Sequence, residues 1–478
     1  MFQFVLFISV DSYILEDNHL IDEEGLADMS LFVREKGFYK SFFWLTLVIG
    51  MQNLISVGVN LSDNVMLGGY SESALSGVAL ANQIQFLLHM LVMGVCEGLV
   101  IMSSRFWGAK DLGLIKKAAS IGMRMAILLS VVLWVIVFFF PQEVLSLFTK
   151  EENVIAAGVE YLKIICFSYI FFAITSSLLA SLRSVETVKI GFVVSLSTLI
   201  INICLNYILI YGYLGFPELG VAGSAIATLT ARIIECIIVI IYIKRFDRKI
   251  WLKLQDFLQF DMGLFKQYIR VGSPILMSNT IWGLAMAAQT AILGHMGESA
   301  IAANSIATTI FQMVTVIIYA SASATAVIIG KTIGEGRMDK IISYAKTLQI
   351  LYILLGLVTG AVLFIIKDLV LGLYSISDEA QTLALHFMTV LSITVVGTAY
   401  QMPALTGIVR SGGDTRFVLY NDLIFMWLIV LPSSALCAFV FNLSPLAIFI
   451  CLKSDQILKC FVAIVKVNRF KWIRSFSS

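Results

Sequence analysis

The sequence predicts an all-α integral membrane protein of twelve transmembrane helices, arranged as two six-helix repeats (an N-lobe and a C-lobe) around a central cavity. Three observations predict it: the composition, the alternation of basic loops, and an internal repeat. Of 478 residues, 59% are hydrophobic and 13% charged, with six prolines, whereas an ordinary soluble chain is roughly 25% charged and under half apolar. A bilayer core takes roughly 20 apolar residues per helix, so twelve helices would use about 240 residues, near the apolar content available here. This composition excludes a soluble multidomain enzyme and a disordered chain. The formal net charge of +2 offers no electrostatic footprint for a nucleic acid.

Taken in order, residues 1–40 read as a cytoplasmic N-terminal segment. Its apolar patch Met1–Val10 is too short to span and is followed by acidic residues, with no basic n-region or cleavage site of a signal peptide. Met29 is an alternative start. Hydropathy then places spans at about 42–65, 75–103, 118–140, 158–182, 190–211 and 220–243, making a first lobe over 41–243. A basic linker, 244–268, carries Lys244, Arg245, Arg248, Lys249, Lys253 and Lys266. Further spans at about 269–293, 300–328, 347–366, 383–409, 417–440 and 443–465 make a second lobe over 269–465, and 466–478 is a basic tail. Lys and Arg crowd alternate loops (Arg34/Lys36/Lys40, Arg105/Lys110, Arg183/Lys189, the linker, Lys331/Arg337, Arg410/Arg416, Lys466/Arg469), while the other side has little beyond Lys150 and Lys367. By the positive-inside rule both termini and the linker are cytoplasmic. The expected location is the cell membrane.

The halves repeat. Residues 63–84 lie on 289–310, a shift of 226 positions, with Leu67, Gly68, Glu72, Ser73, Ala74, Ala81 and Ile84 identical to their mates. The same shift carries Gly108 onto Gly334 and Leu147-Phe148 onto Leu373-Tyr374. A repeat of six helices preserves topology, which implies parallel bundles related by an axis along the membrane normal. That is transporter architecture.

Polar side chains in a span face protein or water. The first span carries Asn53, Ser56, Asn60 and Asp63, the fifth Ser195, Thr198, Asn202 and Asn206, the sixth Ser224 and Thr228, and the eighth Asn304, Thr308, Gln312, Thr315 and Tyr319. Helix–helix packing through small polar groups explains a single Ser or Thr; amide-rich stripes on several helices point to a water-accessible cavity. Asp63 is the sharpest residue, because a carboxylate at the bilayer centre costs roughly 2.5–3.5 kcal/mol. It is either a proton or cation carrier, or a helix-end carboxylate at the interface. Its repeat mate is Gln289, which offers no ionisable chemistry. Arg232/Glu235 and Asp455/Lys459 are spaced for pairing within a helix. Asp422 falls at the expected interface. Glu97 has no partner evident in the sequence, leaving a substrate-path role and a structural one both open.

The seven cysteines lie in apolar runs without a CxxC pair, as packing residues do. Gly330-Lys331-Thr332 ends like a phosphate-binding loop, but position 325 is Thr rather than Gly and a hydrophobic helix precedes it. No nucleotide signature remains, so energy would come from an ion gradient. No cofactor and no metal beyond a coupling ion is expected, and no convergent cluster suggests an enzyme.

Over about residues 40–465 the chain resembles the multidrug and toxic compound extrusion (MATE) family. The resemblance is carried by "QNLISVGVNLSDNVMLG" (52–68), "SRFWGAKD" (104–111), "NYILIYGYLGFPELGVAGSAIAT" (206–228) and "RSGGDT" (410–415). It implies an antiporter exporting organic, often cationic, compounds in exchange for Na⁺ or H⁺ by rocker-switch alternating access. It also implies an ion-coupling site at Asp63, Asn202, Asn206 and Thr228, with Na⁺ as its one metal. Asn206 stands where some relatives have Asp. Trp282 and Thr398 stand where some relatives place second-lobe acids, which favours coupling in the first lobe. Val48 stands at a common proline position, whereas its mate Pro274 is present. Asn53, Ser56, Asn60, Asn304, Thr308, Gln312 and Gln289 are the candidate substrate-cavity residues. The expected partners are small organic substrates and membrane lipids, with a monomer as the functional unit. A lipid-linked oligosaccharide flippase of the same wider superfamily is the alternative; twelve spans and neutral stripes argue against it.

Overall fold

A hydrocarbon slab leaves backbone amides and carbonyls no water to bond, so an apolar chain of this length must satisfy them within helices. The computed structural model describes residues 32–372 and 377–474. Residues 1–28, Met29 and the Leu373-Tyr374 part of the repeat match lie outside the described residues. The described chain forms α1 (Lys36–Tyr70), α2 (Glu72–Gly108), α3 (Leu112–Phe139), α4 (Glu152–Ile165 and Ser168–Ser184), α5 (Lys189–Tyr211) and α6 (Gly220–Arg245). The second half forms α7 (Met262–Gly294), α8 (Glu298–Gly334), α9 (Met338–Leu371), α10 (Asp378–Met402, running on through a π-helical turn Pro403–Val409), α11 (Thr415–Asp422, Leu423–Val430, Leu431–Phe439) and α12 (Pro445–Lys453 and Asp455–Asn468). The repeat is visible in the boundaries: Glu72 and Glu298 open α2 and α8, and Gly108 and Gly334 close them.

Among the described residues ten helices are long and apolar enough to cross a membrane, and an eleventh span is counted if the α4 pair is one bent span. Two departures from the expected twelve straight spans follow. The fourth is broken by 53° between Ile165 and Ser168, where Phe167 turns onto Trp134 and Phe138 of α3 at ring distances of 5.9 and 5.6 Å. The twelfth, α12, is continuous through Ser454, whose carbonyl accepts the amides of Ile457 and Leu458. It carries Lys453, Asp455, Lys459 and Lys466, which set it apart from the apolar ten. α1 runs unbroken past Val48, whereas α7 contains Pro274.

The compact units do not divide at the linker. Met51–Thr280 forms one, and Ile281 onward together with the start of α1, up to Gly50, forms the other. The first turns of each leading helix therefore pack with the other repeat. In the unit containing the start of α1, Lys340 and Tyr344 of α9 reach Glu35 at 2.9 and 3.2 Å, and the Phe38 and Tyr344 rings lie 4.4 Å apart. In the unit containing the start of α7, the Tyr268 hydroxyl donates to the Val95 carbonyl of α2 at 2.6 Å. The linear lobes 41–243 and 269–465 thus exchange the openings of their leading helices.

The linker is docked rather than loose. Lys249 donates to the Val185 carbonyl, Arg124 to the Phe257 carbonyl at 2.8 Å, and Lys116 and Lys117 of α3 pair with Asp256 and Asp261 at 3.0 Å each. Asp256 is held below the usual carboxylate range: burial opposes this, but the Lys253 amide and the Lys116 ammonium outweigh it. The Leu264 amide and Lys117 do the same for Asp261. A carboxyl lowered on folding stabilises the docked linker above its unfolded value, about 3.9, and ceases to as pH falls through the lowered folded value. Amide exchange across 250–261, corrected for intrinsic pH dependence, should therefore stay slow down to about pH 4 and quicken below it. Asp256→Asn should quicken it already at neutral pH; unchanged protection in that variant would show that the carboxylate does not hold the linker.

Candidate functional site

The α5–α6 hairpin sets the site. Gly212 ends α5 in the left-handed region at φ 71°, which a side chain resists, and the Leu219 amide returns to the Leu209 carbonyl at 3.0 Å. At Gly223 an added Cβ would meet the Leu209 carbonyl oxygen at 2.5 Å, so only glycine lets α6 approach the α5 backbone this closely. The Tyr211 hydroxyl then ties the end of α5 to the Met66 carbonyl of α1 at 2.8 Å.

This packing brings together residues separated by more than 160 positions. Asn206 donates through Nδ2 to Asp63 Oδ1 and, at 3.2 Å, to Asn202 Oδ1. Asn202 Nδ2 in turn donates to Thr228 Oγ1 at 3.1 Å. Asp63 is 6% exposed, Thr228 8%, and both asparagines are fully buried. The Asn206 amide hydrogens are thus spent on the carboxylate and on Asn202, while Asn206 Oδ1 is buried with no hydrogen-bond donor among the described residues. One carboxylate, amide oxygens and a hydroxyl form an oxygen donor set of single negative charge, the kind that suits a hard monovalent cation or a proton. No group of three His, Cys, Asp or Glu able to hold a transition metal occurs among the described residues.

The other expected positions separate. Ser195 and Thr198 are buried on α5, the latter bonded to the Val194 carbonyl at 2.9 Å. Ser56 and Asn60 are exposed, and Asn53 is half-buried; the first-span stripe joins the site only at Asp63. On α8, Thr308 donates to Asn304 Oδ1 at 3.3 Å and Gln312 is exposed. Glu97 accepts from Asn279 Nδ2 at 3.5 Å, a partner supplied by the start of α7. Lys459 reaches Asp422 at 3.0 Å as well as Asp455 at 3.5 Å, so the expected i,i+4 pair belongs to a larger cluster. Arg232 pairs with Glu235 at 2.8 Å and lies over the Phe172 ring at 5.1 Å.

Sequence reasoning missed Lys453. Its ammonium donates to Gln289 Oε1 at 3.1 Å and lies 5.5 Å from the Phe449 ring centroid. Gln289 is the repeat mate of Asp63, and the same shift carries Thr228 onto Ser454, the next residue after Lys453. Where the first repeat presents an acid among amides, the second presents an amide with a lysine already bound to it. The legible signal was a lysine in the apolar run 443–465. Tyr161, 2% exposed and beside Thr228 and Gln85, was also unmarked.

The helix pattern, the repeat and an intramembrane carboxylate define a multi-pass membrane transporter. The MatE family model matches residues 49–208 and 274–436, and the chain belongs to that family. It is 25% identical over 445 residues to "Probable multidrug resistance protein NorM" of Listeria monocytogenes, covering 92% of this chain and 96% of that one. It is 24% identical over 420 residues to "Uncharacterized transporter YisQ" of Bacillus subtilis, covering 87% and 91%. In fold it is similar to a structure described as MATE in complex with MaL6 (TM-score 0.81, 19% identity, 90% of this chain and 95% of that chain). It is similar also to the Vibrio cholerae MATE transporter VcmN in the bent form (TM-score 0.82, 18% identity, 92% and 98%).

Thr228→Val should leave Asn202 Nδ2 a buried donor without an acceptor and destabilise the protein by about 1–3 kcal/mol. Asn202→Leu also removes the acceptor of Asn206, but the Asn202–Thr228 bond can be lost only once, so the double variant should lose less than the sum of the two single losses in the detergent thermal midpoint. An additive double variant would show that the two side chains do not interact.

Proposed function

We propose that this chain is a secondary active antiporter of the cell membrane that exports organic, drug-like cations in exchange for Na⁺ or H⁺. The observation that carries the reading is the buried Asp63–Asn206–Asn202–Thr228 chain, which has acceptor oxygens and, among the described residues, no hydrogen-bonded cation. Lys453 at the counterpart position supports placing the exchanged ion in the first repeat alone. Trp282 and Thr398, which bear no charge, fit the same assignment. The NorM relatives, named for multidrug resistance, support export of drug-like compounds.

In this reading an ion or proton at Asp63 neutralises the carboxylate and draws on the orphaned Asn206 oxygen. It drives transport only by binding one state of a rocker-switch cycle better than the other. Substrate and ion then occupy the protein in alternation, with both termini cytoplasmic and the monomer as the working unit. The exposed Ser56, Asn60 and Gln312, with Asn53, Asn304 and Thr308, are assigned to the substrate path.

Asp63→Asn should abolish gradient-driven efflux of a fluorescent cation while leaving normal amounts of protein in the membrane; efflux at the unsubstituted rate would sink the site. In proteoliposomes, a Na⁺ jump at constant pH against a pH jump without Na⁺ identifies the ion.

A single carboxylate also sets the charge balance. Exchanging one monovalent cation for one organic cation moves no net charge, whereas exchange for a neutral compound gains about 2.3 kcal/mol per 100 mV. Steady-state export of a monovalent dye should therefore be insensitive to a valinomycin-clamped potential. A steep voltage dependence would require a further charge.

A further inference from the structure

The turn between α11 and α12 sets two thiols side by side. α11 ends at Phe439 and α12 starts at Pro445. Between them the Val440 and Phe441 amides return to the Leu436 carbonyl at 3.0 Å each, and the Leu443 amide to the Cys437 carbonyl at 3.0 Å. Ser444 caps α12, its hydroxyl accepting from the Ala447 amide at 3.4 Å, and Pro445 follows in the first turn. So short a reversal packs α12 back on α11, and Cys437 joins the apolar cluster that contains Ile448, Phe449 and Leu452. Its Sγ lies 3.6 Å from that of Cys451. Stacking of Phe449 on Phe387 of α10, with ring centroids 4.0 Å apart, holds the α12 side of the pair.

Cys166 and Cys460 behave differently. Their thiols reach backbone carbonyls, those of Lys163 and of Gly397 and Gln456, as packing cysteines do. Cys437 and Cys451 face each other, both free and half-buried. A disulfide needs its sulfurs about 2.0 Å apart, so a closing movement of roughly 1.5 Å, within reach of side-chain rotation, would join them. The surface around the pair is apolar, with Leu436, Phe439, Phe441 and Ile450 exposed. That surface favours an uncharged reagent over a charged one.

We propose that Cys437 and Cys451 are an oxidation site, which a neutral organic disulfide converts to an intramolecular disulfide stapling α11 to α12. One cysteine attacks the reagent's S–S bond, forming a mixed disulfide and releasing one reagent thiol. The second cysteine attacks the protein sulfur of that mixed disulfide and releases the other. Two protein thiols and one reagent disulfide thus give one protein disulfide and two reagent thiols, each carrying a cysteine proton.

The test treats the full-length protein in detergent with 2,2′-dithiodipyridine, blocks remaining thiols with iodoacetamide, and digests with trypsin for mass spectrometry. Peptide 417–453 carries both cysteines and no other. From the unsubstituted protein it should emerge two hydrogen atoms lighter than its reduced form, bearing neither a pyridylthio nor an alkyl group. Dithiothreitol should restore two alkylatable thiols. In Cys437→Ser the second attack cannot occur, so Cys451 should keep a pyridylthio group, and Cys451→Ser should leave one on Cys437. Amide exchange over 440–447 should slow by about tenfold on oxidation and recover on reduction. A pyridylthio group retained on the unsubstituted peptide overturns the proposal. So do two alkylated thiols under treatment that modifies the exposed Cys204, and exchange that oxidation leaves unchanged.

Discussion

An uncompensated charge in a hydrocarbon slab is the constraint on which this structure turns. Among the described residues, several charges within the helices meet an internal partner. Arg232 has Glu235, Lys459 has Asp422 and Asp455, and Lys453 has the Gln289 amide oxygen. Asp63 differs in kind. Its hydrogen-bond donor is a neutral amide rather than a cation. In the proposed reading, an exchangeable ion or proton supplies the charge balance. On that proposal, transport coupling and fold stability answer the same electrostatic requirement.

The repeat shows how the two halves met that requirement differently. The shift that pairs Asp63 with Gln289 also pairs the Thr228 region with the Lys453-Ser454 pair. At the first position the side chain is a carboxylate held by an amide; at the second it is an amide that accepts from a lysine. The same duplication explains the exchanged helix openings. α1 and α7 are equivalent elements: the shift carries Glu35, before α1, onto Asp261, before α7, and each meets a lysine of the corresponding helix, Lys340 of α9 and Lys117 of α3.

The linker and the tail show where sequence signals mislead. Both read as basic segments because lysines and arginines dominate their composition. In the fold the few acids matter more. Asp256 and Asp261 dock the linker onto α3, and Asp414 collects Lys466 and Arg474 behind the buried Trp472. Composition counts charges, whereas docking depends on which of them are buried, and burial is decided by distant chain.

The sequence alone determined the membrane class, the repeat, most helix positions and the standing of Asp63 as the residue to explain. These are local or periodic properties: hydropathy needs about 20 neighbouring residues, and a repeat needs only self-comparison. The pairing of Asn202, Asn206 and Thr228 with Asp63 reached the sequence only through family resemblance; their hydrogen bonds became definite when Gly223 let α5 and α6 close. The bend of α4, the partner of Glu97, the cluster around Lys459 and the Lys453–Gln289 contact were decided by tertiary structure. Each joins segments many residues apart or depends on side-chain packing across helices, and one-dimensional spacing carries no record of either.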